Sequence, residues 1–257
     1  MRKYFLLVCL AFSTHQVMAQ YQPPKLTPLQ QKIQQAMQSD IRTPAEVARD
    51  RNRNPIRTLD FFGLRDDMTV LELIPAGGWY TKILGPVLRD KGMLYITEPD
   101  YYAAMTDRAL KLSGMDRVKR IPWGKWDGQM DPKVRSFPPP GHWKLKNLDM
   151  VLTFRNYHNF SQQARAVLDR EVFNALKPGG HYGIIDHTRR HMEPDNPENF
   201  RRVDPVEVIK EVQAAGFVFV DFSNVHYKPD DELRYEVGRH SVTGNTDRFT
   251  LLFKKPE

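Results

Sequence analysis

Cysteine is all but missing from this 257-residue sequence: Cys9 is the only one. It falls in a stretch that reads as removable, so the mature chain is expected to carry no thiol. That excludes disulfides, a thiolate nucleophile and a Cys-ligated zinc, and it suits an oxidising compartment. Long apolar runs are also missing. The run Phe5 to Phe12 (FLLVCLAF) is far shorter than the ~20 residues a membrane helix needs. Concentrated charge is missing as well. The net charge is +7, yet Arg49, Arg51 and Arg53, then Lys119 and Arg120, then Arg189 and Arg190 are scattered among acids. A nucleic-acid binder presents a concentrated basic face interleaved with aromatics; here the reading is a solvated, mildly basic surface and no nucleic-acid partner. Neither a Gly-x-Ser-x-Gly elbow nor a phosphate-cradling Gly-Lys-Ser loop occurs.

What is present begins with a tripartite leader. Arg2 and Lys3 precede the apolar run, and Val17-Met18-Ala19 supplies small residues ahead of Gln20. This is the layout of a secretory signal peptide. Export, to the periplasm, is expected, with cleavage after Ala19 and no membrane span afterwards. Residues 20–43 then read as a polar lead with Pro23, Pro24 and Pro28, followed by a short surface helix carrying Leu29, Ile33, Ala36 and Met37. Residues 44–257 read as one domain. Thr43-Pro44-Ala45-Glu46 forms a capping box with proline in the first helical position. Asn54-Pro55 is expected to start a further helix in the same way, ending at Gly63.

Beyond Gly63, short apolar runs alternate with amphipathic stretches. Strands are expected at 70–74, 93–96, 118–121, 150–154, 182–185, 217–222 and 249–253. Helices are expected at 80–89, 100–112, 161–176 and 204–215, with Pro178-Gly179-Gly180 as a turn. Such alternation means βαβ units and a largely parallel sheet, and the long polar stretch 223–248 points to an antiparallel end. Residues 122–147, with Trp123, Trp126, Pro138-Pro139-Pro140 and Trp143, read either as a substrate wall or as a packed flap.

Ligands of such sheets bind beyond the carboxyl ends of the strands. After the first strand comes Pro75-Ala76-Gly77-Gly78-Trp79, a small-residue loop entering a helix. Glu98 follows the second strand about 20 residues later, a spacing that suits an acid accepting both hydroxyls of a ribose. Val70-Leu71-Glu72-Leu73-Ile74-Pro75-Ala76-Gly77-Gly78 resembles motif I of class I S-adenosylmethionine-dependent methyltransferases. Leu176-Lys177-Pro178-Gly179-Gly180 and Ala215-Gly216-Phe217 are similar to their LKPGG and AGF motifs. Trp79-Tyr80-Thr81, Tyr157-His158, Ile185-Asp186-His187 and Thr246-Asp247-Arg248-Phe249 further resemble a group of exported methyltransferases.

The resemblance implies a Rossmann-like fold: a mostly parallel seven-stranded sheet with helices on both faces. It implies S-adenosylmethionine as cofactor, held by Glu72, Pro75, Ala76, Gly77, Gly78, Trp79 and Glu98, with Glu72 on the amino group, Glu98 on the ribose and Asp127 within reach of adenine. It also implies methyl transfer to a small-molecule substrate, with His158 as general base, His187 as second candidate and Tyr157 shaping the pocket. The three glycines of the general motif fall on Ile74, Ala76 and Gly78, so Ile74 is expected to crowd the cofactor's methionine. The alternative is an exported binding protein of this fold without turnover. His158, Asp186, His187 and His191 are also metal-ligating types. His-Thr-Arg-Arg-His, however, lacks a carboxylate base between its histidines, and no metal is expected.

Overall fold

The computed structural model describes residues 25–125, 127–129 and 136–257; the expected signal peptide, Trp126 and Pro132 lie outside them. Four helices come first: α1 (Pro28–Met37), α2 (Pro44–Val47), α3 (Asp50–Arg53) and α4 (Pro55–Phe61). The alternating part follows as β1 (Thr69–Leu73), α5 (Thr81–Leu88), β2 (Met93–Thr97), α6 (Asp100–Leu110), β3 (Lys119–Arg120) and β4 (Leu148–Phe154). It continues with a 3-10 turn (Tyr157–Asn159), α7 (Gln162–Ala175), β5 (Leu176–His187), α8 (Pro205–Ala214), β6 (Val218–Phe222) and β7 (Arg248–Lys254). Among the described residues, no helix is long and apolar enough to cross a membrane.

The seven strands form one sheet in the order β3-β2-β1-β4-β5-β7-β6. All neighbours are parallel except β7, which runs antiparallel to both β5 and β6. The order reverses between β1 and β4, which opens a crevice at their carboxyl ends. Apolar clusters cover both faces: α7 and α8 close one, while α1, α4 and α5 close the other. β1 and β4 are therefore buried on both sides and read as nearly unbroken apolar runs.

Three local expectations are corrected. Residues 176–180 belong to β5, because Gly179 N–H donates to Lys255 O and Lys255 N–H donates to Gly180 O, carrying the antiparallel pairing beyond β7. Asn54 does not cap α4 through its side chain; it sits in the left-handed region (φ +40) and its Nδ2 donates to Val225 O. The helix α1 is not merely superficial, since Ile33 and Ala36 are buried in the cluster with α4 and α5. The capping box at Thr43 and Glu46 forms as read, and Gly63 takes φ +72 just past α4.

Candidate active site

β1 ends in a loop whose backbone does what only glycine does comfortably. Ile74, Ala76 and Gly78 all have positive φ, at +50, +49 and +74. For a β-branched residue this is a genuine outlier, and such conformations cost about 1–3 kcal/mol each. The surroundings hold it: Ile74 N–H donates to Thr97 O at 2.8 Å, and Asn156 Nδ2 donates to Ile74 O at 3.1 Å. Gly78 has no room for a side chain, as a Cβ there would lie 2.6 Å from Ala109 Cβ, whereas a Cβ on Gly77, at the exposed apex, would meet nothing within 4 Å. The loop thus keeps the left-handed conformation at all three glycine positions of the general motif. The side chain of Ile74 lies in the buried apolar cluster that includes Trp123 and Trp143.

Two acids flank the loop in different states. Glu72 is 2% exposed and accepts from Thr81 Oγ1 at 2.7 Å. Burial first, then the negative charge of Glu98, pushes its carboxyl up to about 8. At neutral pH Glu72 is therefore mainly protonated. Glu98 Oε2 accepts from Thr106 Oγ1 at 2.6 Å. Its Oε1 is buried with no hydrogen-bond partner among the described residues, although an Arg120 nitrogen lies 3.2 Å away. Past the ends of β2 and β3, Pro99, Asp100, Trp123, Gly124, Lys125 and Pro138 line a small cavity of about 300 Å³. Asp127 is exposed on the loop beyond.

Trp79 lies outside this crevice. Its Nε1 donates to Glu46 O at 3.0 Å, and its ring lies under the guanidinium groups of Arg42 and Arg53, 4.8 and 4.4 Å from the ring centre. It joins the loop to α2 and α3. The next residue, Tyr80, stacks on Phe154 with centroids 3.6 Å apart.

After β4 the 3-10 turn presents His158 to a large cleft of about 1380 Å³, together with Tyr102, Phe137, Phe200, Arg189 and Arg202. Asp186, at the end of β5 and fully buried, lies 2.6 Å from His158 Nδ1 and accepts from the backbone N–H of His158 and of His187. A carboxylate at Nδ1 selects the tautomer with the proton there and leaves Nε2 as an acceptor. The His187 ring is 5.7 Å from that of His158, and its Nδ1 is 2.9 Å from Thr246 Oγ1. Burial, with His158 and Arg248 nearby, holds His187 well below the usual imidazole range, so it is neutral. Tyr157 is placed away from the cleft: it is wholly buried and its hydroxyl donates to Asp169 Oδ2 at 2.6 Å. Its part is to anchor the turn that carries His158. His191 pairs with Asp204, and among the described residues no three metal-ligating side chains gather.

Thr106, Asn156 and the role of Asp186 toward His158 were not legible in the sequence, because each acts through a partner remote along the chain. In the described part of the insertion Trp123 Nε1 donates to Pro138 O and Trp143 Nε1 to Trp123 O, while Ser136 and Phe137 line the large cleft.

No protein-family model matches the sequence, and no curated protein does. The structure is similar to that of an S-adenosylmethionine-dependent methyltransferase from Aquifex aeolicus (17% identity, TM-score 0.55, covering 88% of this chain and 97% of that one). It is also similar to the [4+2]-cyclase SpnF (17%, TM-score 0.53, 80% of each chain). Human N-acetylserotonin methyltransferase, solved with its S-adenosylmethionine, matches at 12% identity and TM-score 0.53, over 89% of this chain and 57% of that one. The fold is that of the class I methyltransferases. The residues present fit a nucleoside cofactor at two points: the left-handed loop with its open apex, and the unfilled acceptor on Glu98.

Proposed function

We propose that this protein is an S-adenosylmethionine-dependent methyltransferase of a small molecule, working in the periplasm after loss of residues 1–19. The observation that carries the reading is the loop at 74–78, which keeps the left-handed conformation of a glycine motif although residues 74 and 76 are isoleucine and alanine. When bound, the cofactor supplies an electrophilic methyl group. The chain's own residues divide the remaining work. Pro75, Ala76, Gly77 and Gly78 offer backbone that a ligand can approach, and Glu98 Oε1 accepts a ribose hydroxyl. Glu72, protonated, steadies the start of α5 through Thr81. His158, held by Asp186, takes the acceptor's proton on Nε2 at the wall of the large cleft. Neutral His187 shapes the other side of that point. Trp79 supports the loop from outside, and Tyr157 fixes the turn.

A second reading is a binding protein of this fold without turnover. It is favoured by the burial and protonation of Glu72, which leave it unsuited to holding an ammonium group. The two are separated by incubating the protein with S-adenosylmethionine and a protein-free metabolite extract and measuring S-adenosylhomocysteine. Turnover that His158→Ala lowers by about 10²–10⁴, with S-adenosylhomocysteine affinity retained, supports the enzyme. Binding without turnover supports the second reading, and neither binding nor turnover overturns both.

A further inference from the structure

Four arginines converge beside the loop after β1, at the carboxyl edge of the sheet. Arg53 closes α3, and its guanidinium lies over Trp79. Arg248 opens β7 opposite His187, and its Nη1 donates to Asn52 O at 3.0 Å. Arg155 follows β4 directly, at φ +62, with its N–H donated to Ile185 O. Arg49 precedes α3, and its charge bears on the other three. Arg53 and Arg248 are 7% and 3% exposed. The Nε atoms of Arg49, Arg53 and Arg248 are buried and have no hydrogen-bond partner among the described residues. None of the four lies within 4.0 Å of a carboxylate of those residues.

So much like charge is expensive to bury without a counter-charge. Burial and the charge of Arg155 push Arg53 down to about 8, and the same two causes bring Arg248 to about 10. Asp186 faces Arg155 and Arg248 while also holding His158 and the N–H of His187, one carboxylate against four guanidinium groups. Glu72 faces Arg53 while largely protonated, and Tyr80 contributes only a hydroxyl. The missing negative charge must come from a ligand. S-adenosylmethionine brings no net negative charge, because its ammonium and sulfonium groups outweigh its carboxylate, so it leaves the cluster as a whole uncompensated.

On the methyltransferase reading, we propose that the acceptor is itself an oxyanion, a small molecule with a carboxylate or phosphate group seated on Arg53, Arg155 and Arg248 between the loop after β1 and His187. Arg49 and Arg155 are only partly covered, whereas Arg53 and Arg248 are buried. The left-handed backbone at Arg155 is then strain retained to aim its guanidinium at the ligand.

The test follows thermal unfolding of the chain in inorganic phosphate and in succinate against chloride at matched ionic strength. S-adenosylhomocysteine is titrated in parallel, and both measurements are made on the parent and on Arg155→Asn. Asparagine tolerates the left-handed conformation, and Arg53→Met repeats the test if that variant does not fold. Phosphate, succinate or both are expected to raise the parent's Tm. Arg155→Asn is expected to unfold in chloride no lower than the parent, to bind the oxyanion roughly tenfold or more weakly, and to keep its affinity for S-adenosylhomocysteine. No oxyanion effect on the parent, or an equal effect on both proteins, overturns the proposal. Loss of S-adenosylhomocysteine affinity in Arg155→Asn also overturns it, because the guanidinium would then hold the cofactor's carboxylate. If S-adenosylhomocysteine binds neither protein while the oxyanion effect stands, the oxyanion site survives and the methyltransferase reading fails.

Discussion

Two sets of arginines line the working edge of this molecule, and they are built in opposite ways. Around the large cleft, Arg165 holds Glu211, Arg189 holds Asp195 and Glu207, Arg201 holds Glu236, and Arg202 holds Asp231. Beside the loop after β1, Arg49, Arg53, Arg155 and Arg248 have no carboxylate oxygen within 4.0 Å among the described residues. The paired set makes walls, since each charge is answered within the fold. The unpaired set is where the proposed oxyanion would sit. Sites where a chain breaks its own local rules are where function is sought.

The largest effect is expected at Arg202. Its side chain and that of Asp231 are both fully buried, 2.9 Å apart. Arg202→Met leaves Asp231 buried without its partner and is expected to cost about 3–5 kcal/mol in chemical denaturation. A loss below 1 kcal/mol would place this pair with ordinary surface ion pairs and blur the contrast.

A smaller effect is expected from Glu72, the carboxyl that faces Arg53. Its folded pKa, about 8, lies above the ordinary 4.5, so between these values the folded state binds more protons than the unfolded one. Stability therefore falls as pH rises through that window. Asp169, pushed up to about 7 from 3.8 by burial, acts in the same direction. Glu72→Gln should flatten part of the slope in a stability profile from pH 4 to 9. An unchanged slope would mean that Glu72 is ionised and answers Arg53.

The smallest effect tests the loop's strain. Ala76→Gly removes one partly covered methyl and relieves a positive φ, so it should stabilise by about 1 kcal/mol, or roughly 2–4 °C in Tm. Ile74→Gly relieves the same kind of strain but empties a fully packed position, and the packing loss, about 2–5 kcal/mol, outweighs the relief. A loss of stability at Ala76 would show that its conformation is not strained.

Much of the fold was legible because its signals are local. All seven strands and the helices between them follow from alternating apolar runs, proline starts and glycine stops. The site was legible in part. Glu98, the small-residue loop and His158 stand just after strands, where ligands of such folds bind. The arginine cluster was not: Arg49 and Arg53 read as solvated charges, and Arg53 is buried instead. Arg248 reaches Asn52 across 196 residues of sequence, and no local pattern reports a contact of that range. Tyr157 and Trp79 misled for the same reason, since their partners Asp169 and Glu46 lie in other elements. The i, i+2, i+4 spacing of Arg49, Arg51 and Arg53 and the arginine ending β4 were the available hints, and neither shows a missing partner.

Whether the loop at 74–78 and Glu98 hold a nucleoside cofactor is decided by calorimetric titration of S-adenosylhomocysteine into the parent chain and Glu98→Ala. Saturable binding to the parent is expected, with a loss of about 1.5–3 kcal/mol in the variant, the value of hydrogen bonds to a charged group, and with the fold intact. An unchanged dissociation constant in Glu98→Ala, or no binding to the parent at millimolar concentration, would contradict it.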